Sequence, residues 1–185
     1  MALTPIVTKT LSTLTMLSDI LIGLFLLVLI LRYVFRVRIK FMFKIWKFIT
    51  KRALFLAFIV AIVATLGSLY YSEIAGYEPC RLCWFQRIFM YPLVILLGVA
   101  LIKKAHDIAH YVIPMSLIGA GISIHHYIIQ RLVYASSCSA EATVPCTVKY
   151  TFTYGYITIP MMALTGFIMV IILTYYHLRK HRGDN

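Results

Sequence analysis

Pro79-Cys80-Arg81-Leu82-Cys83-Trp84-Phe85-Gln86-Arg87 runs without a break into an apolar stretch from Ile88 to Ile102. Two thiols, two residues apart, thus open a segment of bilayer-crossing length, which takes roughly 20 mostly apolar residues. With Leu82 starting the helix, Cys80 and Cys83 sit at its N-terminus, where unpaired backbone N–H groups and the helix dipole favour an anion. A thiolate is stabilised there and reactive near neutral pH. Residues 80, 83 and 87 fall on one helical face. The stretch marks a membrane helix presenting thiol redox chemistry at the bilayer surface.

The surrounding chain agrees. Of its 185 residues 62% are hydrophobic and only 13% charged, with a mean hydropathy of +0.89. That is far from a soluble domain. The third span, Leu82 to Ile102, is expected among four others: Ser18 to Phe35, Ala53 to Tyr71, Tyr111 to Arg131 and Ile157 to Leu178. Asp19 sits at the edge of the first. The Thr- and Ser-rich start, with Lys9 alone, lacks the basic beginning and small-residue cleavage site of a signal peptide. A retained helix with its N-terminus outside is expected.

A net charge of +12 in a soluble chain would point to nucleic acid. Here the bases cluster between spans: from Arg32 to Arg52 without an acid, at Lys103 and Lys104, and at Arg179, Lys180 and Arg182. Of the 18 lysines and arginines, only Lys9, Arg81, Arg87, Arg131 and Lys149 fall elsewhere. This is the positive-inside pattern, so the charge reports topology and no nucleic-acid partner is expected. The run from Arg32 to Arg52, with Trp46 within it, reads as a cytoplasmic loop or as a basic amphipathic segment on an anionic leaflet.

The same topology puts Cys80, Cys83, Cys138 and Cys146 on the extracytoplasmic side, where disulfides persist. The expected architecture is an all-α polytopic membrane protein: a four-helix transmembrane bundle with one extra N-terminal transmembrane helix. Residues 1–52 form the extra helix and basic cytoplasmic loop, 53–178 the four-helix oxidoreductase domain, and 179–185 a basic cytoplasmic tail.

Cys138 and Cys146 lie in the longest outer segment, Leu132 to Tyr156, which can offer a disulfide to a partner protein or serve as an inert staple. Four cysteines allow three connectivities. A structural zinc site needs four converging ligands, and the Cys138-x7-Cys146 spacing is looser than usual, so no metal is expected. Arg87 either snorkels to lipid phosphate or holds a cofactor oxygen beside Cys83. Gly119, Ser123, His126 and Gln130 make one small and polar stripe on the fourth span. It serves helix packing, or brings His126 to a bound cofactor as a hydrogen-bond or proton donor. Tyr150, Phe152, Tyr154 and Tyr156 alternate as in a short strand or an interfacial belt.

Three motifs then fall in a recognisable order: Cys80-x-x-Cys83-Trp84-Phe85-Gln86-Arg87-Ile88-Phe89-Met90-Tyr91-Pro92, His126-Tyr127-x-x-Gln130, and Gly155-Tyr156-Ile157-Thr158-Ile159-Pro160. From about Ala53 to His177 the chain resembles the bacterial disulfide bond formation protein B family, in its BdbC-type branch. The resemblance implies a quinone-dependent protein disulfide oxidoreductase of the bacterial inner membrane. Such an enzyme reoxidises an extracytoplasmic thioredoxin-fold thiol oxidase and passes the electrons to a membrane quinone, ubiquinone or menaquinone. By position, Cys138 and Cys146 match the pair that exchanges with the partner. Cys80 and Cys83 match the pair facing the quinone, with Arg87 beside it and His126 near the same pocket.

Two departures stand out: Met1 to Arg52 has no counterpart in the minimal four-span form, and Gln86 occupies a position that is acidic in some members. A vitamin-K-epoxide-reductase-like enzyme would share the chemistry, but there the Cys-x-x-Cys is expected in a late helix, after the loop pair. A non-enzymatic membrane protein with two structural disulfides is a further class. A transporter within it would want an intramembrane carboxylate, which the spans lack away from their ends.

Overall fold

The computed structural model describes residues 3–35, 52–132 and 144–182. Most of the basic run before Arg52, together with Cys138, lies outside them. Among the described residues five long helices carry the fold: α1 (Thr4–Phe35), α2 (Ala53–Leu69), α3 (Arg81–Lys103), α4 (Ala109–Leu132) and α5 (Ile159–Arg182). All five are long and apolar enough to cross a membrane. Among the described residues the only β feature is an isolated bridge between Thr153 and Ile157. The protein is an all-α, multi-pass membrane protein.

Each helix is bounded by a local device. A π-helical turn, Tyr70–Ile74, continues α2, and Gly76, at φ 69°, then turns the chain. Cys80 caps α3 in an extended conformation, and its carbonyl accepts from the Trp84 N–H at 3.2 Å. At the far end Lys104 takes the left-handed conformation, returning its N–H to the Ala100 carbonyl. A short 3₁₀ turn, His106–Ile108, leads into α4.

The helices α2, α3, α4 and α5 close a ring, each touching its two neighbours, and α1 lies outside it against α5. The buried faces set small residues beside large ones: Ala57 and Ala61 on α2, Leu93 and Leu97 on α3, Phe167 and Val170 on α5. In lipid there is no hydrophobic gain from joining two apolar helices, so close van der Waals contact has to hold them. Gly119 shows how close. A β-carbon there would overlap the ring of Phe167, so the glycine lets α4 lie against α5. Ser123 also belongs to this packed face and returns its hydroxyl to the Gly119 carbonyl at 2.9 Å.

The first helix differs from its expected form. It starts at Thr4, and the span within it runs from Thr4 to Val28 rather than from Ser18 to Phe35. Hydroxyl side chains make this possible: Thr10, Thr13 and Thr15 each donate to the carbonyl four residues earlier, so they cost little in an apolar setting. Asp19 is consequently in the middle of the span, not at its edge. Its carboxylate accepts from the Thr165 hydroxyl at 2.7 Å and the Tyr156 hydroxyl at 3.2 Å. Thr153 donates to the Ser12 hydroxyl at 2.7 Å, and Thr13 and Tyr154 share a further bond at 3.1 Å. The Asp19–Thr165 bond joins two helices, and such bonds in membranes average about 0.6 kcal/mol; the other three tie α1 to the turn that precedes α5. The spans therefore do contain an intramembrane carboxylate, contrary to expectation, and it is held by two hydroxyls.

The aromatic alternation from Tyr150 to Tyr156 forms no strand. Tyr154 and Gly155 both take positive φ in a tight turn closed by the Thr153–Ile157 bridge, with Phe152 and Tyr154 exposed.

Candidate active site

Cys80 and Cys83 are free thiols with their sulfurs 3.1 Å apart, and Cys146 is disulfide-bonded. Cys80 and Cys146 belong to one buried cluster with Ile129 of α4, and Leu82, Cys83 and Val144 pack against it. The Pro145-Cys146 segment therefore folds back onto the start of α3. Tyr77 and Tyr150 stack face to face at 4.6 Å, and Tyr150 donates to the Glu78 carbonyl at 3.2 Å, tying that segment to the chain entering α3.

The Cys80 thiol is held well below the usual thiol range. The hydrogen bond from the Cys83 thiol contributes most, burial works against it, and a hydrogen bond from His126 adds to the lowering. Its place as N-cap favours the thiolate in the same direction.

His126 is only 1% exposed. Its Nε2 lies 3.6 Å from the Cys80 sulfur and 3.2 Å from the Cys146 carbonyl oxygen, while its Nδ1 lies 3.1 Å from the Gln86 amide nitrogen. With the Gln86 amide donating to Nδ1, the ring proton belongs on Nε2, facing Cys80 and the Cys146 carbonyl. Gln130, one turn on, donates to the Val148 carbonyl at 2.9 Å. The polar stripe of α4 is thus buried, and its C-terminal half holds the Cys146 segment.

Arg87, 9% exposed, turns inward rather than to lipid. Its Nε donates to the Ser68 hydroxyl at 3.0 Å and one Nη to the Ser68 carbonyl at 3.1 Å, and Tyr91 donates to the same hydroxyl at 3.3 Å. The guanidinium also lies 5.3 Å from the Trp84 ring centroid. Its other Nη has no acceptor among the described residues.

Two cavities divide these groups. A cavity of about 290 Å³ holds Cys83, Gln86, Arg87 and Ser68 at a polar end, with apolar walls from α1, α2, α3 and α5. A cleft of about 20 Å³ holds Cys80, His126, Gln130 and Pro145, and Cys83 reaches it too. The cleft has room for about one water. The sequence expectation grouped His126 with Arg87 around one pocket, whereas the structure puts them in separate spaces on the two faces of the thiol pair.

Sequence reasoning had no route to Ser68, Tyr91 or Gln86 as partners of these groups. Ser68 offered one faint signal, a hydroxyl near the end of an apolar span. As for metal, the Cys80, Cys83 and His126 donor atoms all lie within 4.8 Å of one another. A closed tetrahedral zinc site takes a fourth ligand, and no other described His, Cys, Asp or Glu joins the group.

A family model described as "Disulfide bond formation protein DsbB" matches residues 50–177. The "Probable disulfide formation protein C 1" of Bacillus anthracis is 50% identical over 124 residues, covering 66% of this chain and 89% of its own length. The "Disulfide bond formation protein C" of Bacillus subtilis (strain 168) is 48% identical over 120 residues, covering 64% of this chain and 87% of its own. The "Probable disulfide formation protein" of Oceanobacillus iheyensis is 43% identical over 141 residues, or 72% and 96%. No solved structure matches.

Proposed function

Because this chain belongs to the DsbB family of disulfide bond formation proteins, we propose that it reoxidises an extracytoplasmic thioredoxin-fold thiol oxidase and delivers the electrons to a membrane quinone. Thiol–disulfide oxidoreductase chemistry follows from the family itself. The oxidoreductase domain is assigned to residues 53–178, with the cysteine loops on the extracytoplasmic side of the bacterial membrane. One observation carries the proposal: a single thiol pair has Cys80 packed with disulfide-bonded Cys146 and Cys83 facing an apolar cavity beside Arg87.

The cavity fits a quinone. Small-molecule sites are mostly apolar with a few placed polar groups and occupy roughly 300–1,000 Å³. This one, at about 290 Å³, falls just under that range, enough for a ring but not for a long tail. The uncommitted Nη of Arg87 and the amide of Gln86 are donors for ring oxygens. A quinone bound there supplies the capacity to accept two electrons and two protons.

The chain's own residues supply the rest. A partner thiolate attacks the Cys138–Cys146 disulfide, forming a mixed disulfide and releasing one loop sulfur as a thiolate. A loop thiolate then attacks the Cys80–Cys83 disulfide at Cys80, which lies beside Cys146, forming an interloop bond and releasing Cys83. When the loop pair closes again and the partner leaves oxidised, Cys80 and Cys83 hold the electron pair as two thiols. Its release at the cavity re-forms their disulfide. Arg87, held by Ser68, places fixed positive charge where negative charge develops. His126 serves the other side: Nε2–H stabilises the Cys80 thiolate during exchange.

Quinone reduction by purified protein supplied with a reduced thioredoxin-fold partner tests this directly. Cys83→Ser should abolish turnover while a partner adduct can still be trapped. Equal rates for Cys83→Ser and the unmodified protein would reject the relay.

A further inference from the structure

The family model does not reach α1, yet α1 supplies part of the cavity wall: Leu11, Leu14, Thr15 and Ser18 line it opposite Cys83 and Arg87. A helix serving only as an anchor has no reason to complete a site built by α2, α3 and α5. Five cavity-lining residues are exposed: Glu78 and Tyr150 at the polar end, and three apolar side chains along the helices, Leu14 of α1 at 48% and Ile59 and Val63 of α2 at 40% each. These apolar side chains touch both the cavity and the lipid-facing surface, so they mark its mouth at the seam between α1 and α2.

The seam is closed above the mouth. A β-carbon at Gly67 of α2 would lie 3.2 Å from a Leu11 methyl of α1, so the Leu11 side chain rests against the glycine and covers the seam there. On its other side α1 is fastened to α5 through Asp19 and Thr165, and to the Thr153–Tyr156 turn through Ser12, Thr13 and Asp19. Fixed on α5 and touching α2 near Gly67, α1 leaves the Leu14–Ile59–Val63 gap as an apolar way in from the bilayer.

We propose that α1 forms the outer wall of the Cys83–Arg87 cavity and that the α1–α2 seam at Leu14, Ile59 and Val63 is the portal through which a lipophilic quinone enters and its tail leaves. This rests on the quinone reading above and adds a route and a set of tail-contacting residues. About 290 Å³ does not hold a long tail together with a ring, so the tail has to cross the wall, and this seam is where apolar lining side chains reach the surface, the other exposed lining residues, Glu78 and Tyr150, being polar.

Photoaffinity labelling of the full-length protein in vesicles, using a quinone with an azide on its tail, tests the route without relying on turnover. Label that unlabelled quinone competes away should fall on peptides of α1 around Leu14 to Ser18 and of α2 around Ile59 to Val63. Ser18→Phe, which fills the α1 wall, should cut that label about tenfold, the scale set by overfilling a packed space. Leu21→Phe, on an exposed position of the same helix, should leave it unchanged. Trapping of the partner mixed disulfide by both variants would show that they are folded. Competable label confined to α4, or label indifferent to Ser18→Phe, would overturn the portal while leaving a quinone site in place. No competable label anywhere would overturn the quinone reading and the portal with it.

Discussion

Arg87 reaches from α3 to α2 and donates both to the hydroxyl and to the carbonyl of Ser68, at 3.0 and 3.1 Å. A residue on a different helix therefore fixes where the charge at the polar end of the cavity points. Ser68→Ala removes the hydroxyl and keeps the carbonyl, so it deletes one charge-assisted bond, with a net contribution of about 1.5–3 kcal/mol. We expect the KM for quinone to rise by about tenfold or more, with partner exchange unchanged in a mixed-disulfide assay. Tyr91→Phe, which loses only a neutral bond to the same hydroxyl, should have a smaller effect. A Ser68→Ala enzyme with ordinary quinone kinetics would show that Arg87 needs no such support.

The lowered Cys80 thiol has a consequence for pH. A free cysteine titrates near about 8.5. A thiol depressed in the folded state stays ionised as the pH falls below that value. Its contribution to the stability of the reduced protein is fully present above the ordinary value and disappears as pH falls through the lowered one. Alkylation of Cys80 by iodoacetamide, followed by mass spectrometry of the reduced protein, should keep its rate from about pH 8 down to about pH 6, where an ordinary thiol slows about a hundredfold. Cys83→Ala should move the profile upward most, because the Cys83 hydrogen bond is the largest cause. His126→Ala should move it upward less. A normal thiol profile in the unmodified protein would remove the electrostatic role of both neighbours.

Gly119 bears on the bundle itself. Gly119→Ala forces its new methyl against Phe167, with a destabilisation of about 1–3 kcal/mol typical of overpacking. Thermal unfolding in detergent should show a lower midpoint, and adding Phe167→Leu should recover part of the loss. An unchanged midpoint for Gly119→Ala would mean that α4 and α5 can separate freely, and the buried place of His126 on α4 would then need another explanation.

Spans were legible wherever hydrophobic length alone was decisive. The second to fifth helices begin and end within a few residues of their expected limits, because a bilayer requires long apolar runs and the chain has no other use for them. The first helix was misjudged at its start because threonine and serine read as polar one residue at a time. Their bonds to carbonyls four residues back exist only once the helix has formed. That error moved Asp19 to a span edge, when its partners Tyr156 and Thr165 are far along the chain.

The stretch from Cys80 to Arg87 could be read from sequence because spacing along one helix is local geometry: an N-terminal thiol, a second thiol and an arginine must share a face whatever the bundle does. Which way each group looks was settled by neighbours brought from other helices. Ser68 turns Arg87 into the large cavity, Gln86 sets the ring proton of His126, and the Cys146 segment packs against Cys80. Periodicity carries no information about such contacts, because they depend on how helices meet rather than on how each one winds. The sequence by itself determined a membrane helix with a reactive thiol pair at its mouth. Only the tertiary structure decided that Cys83, and not Cys80, also lines a second and larger space, and that a further helix, α1, walls it.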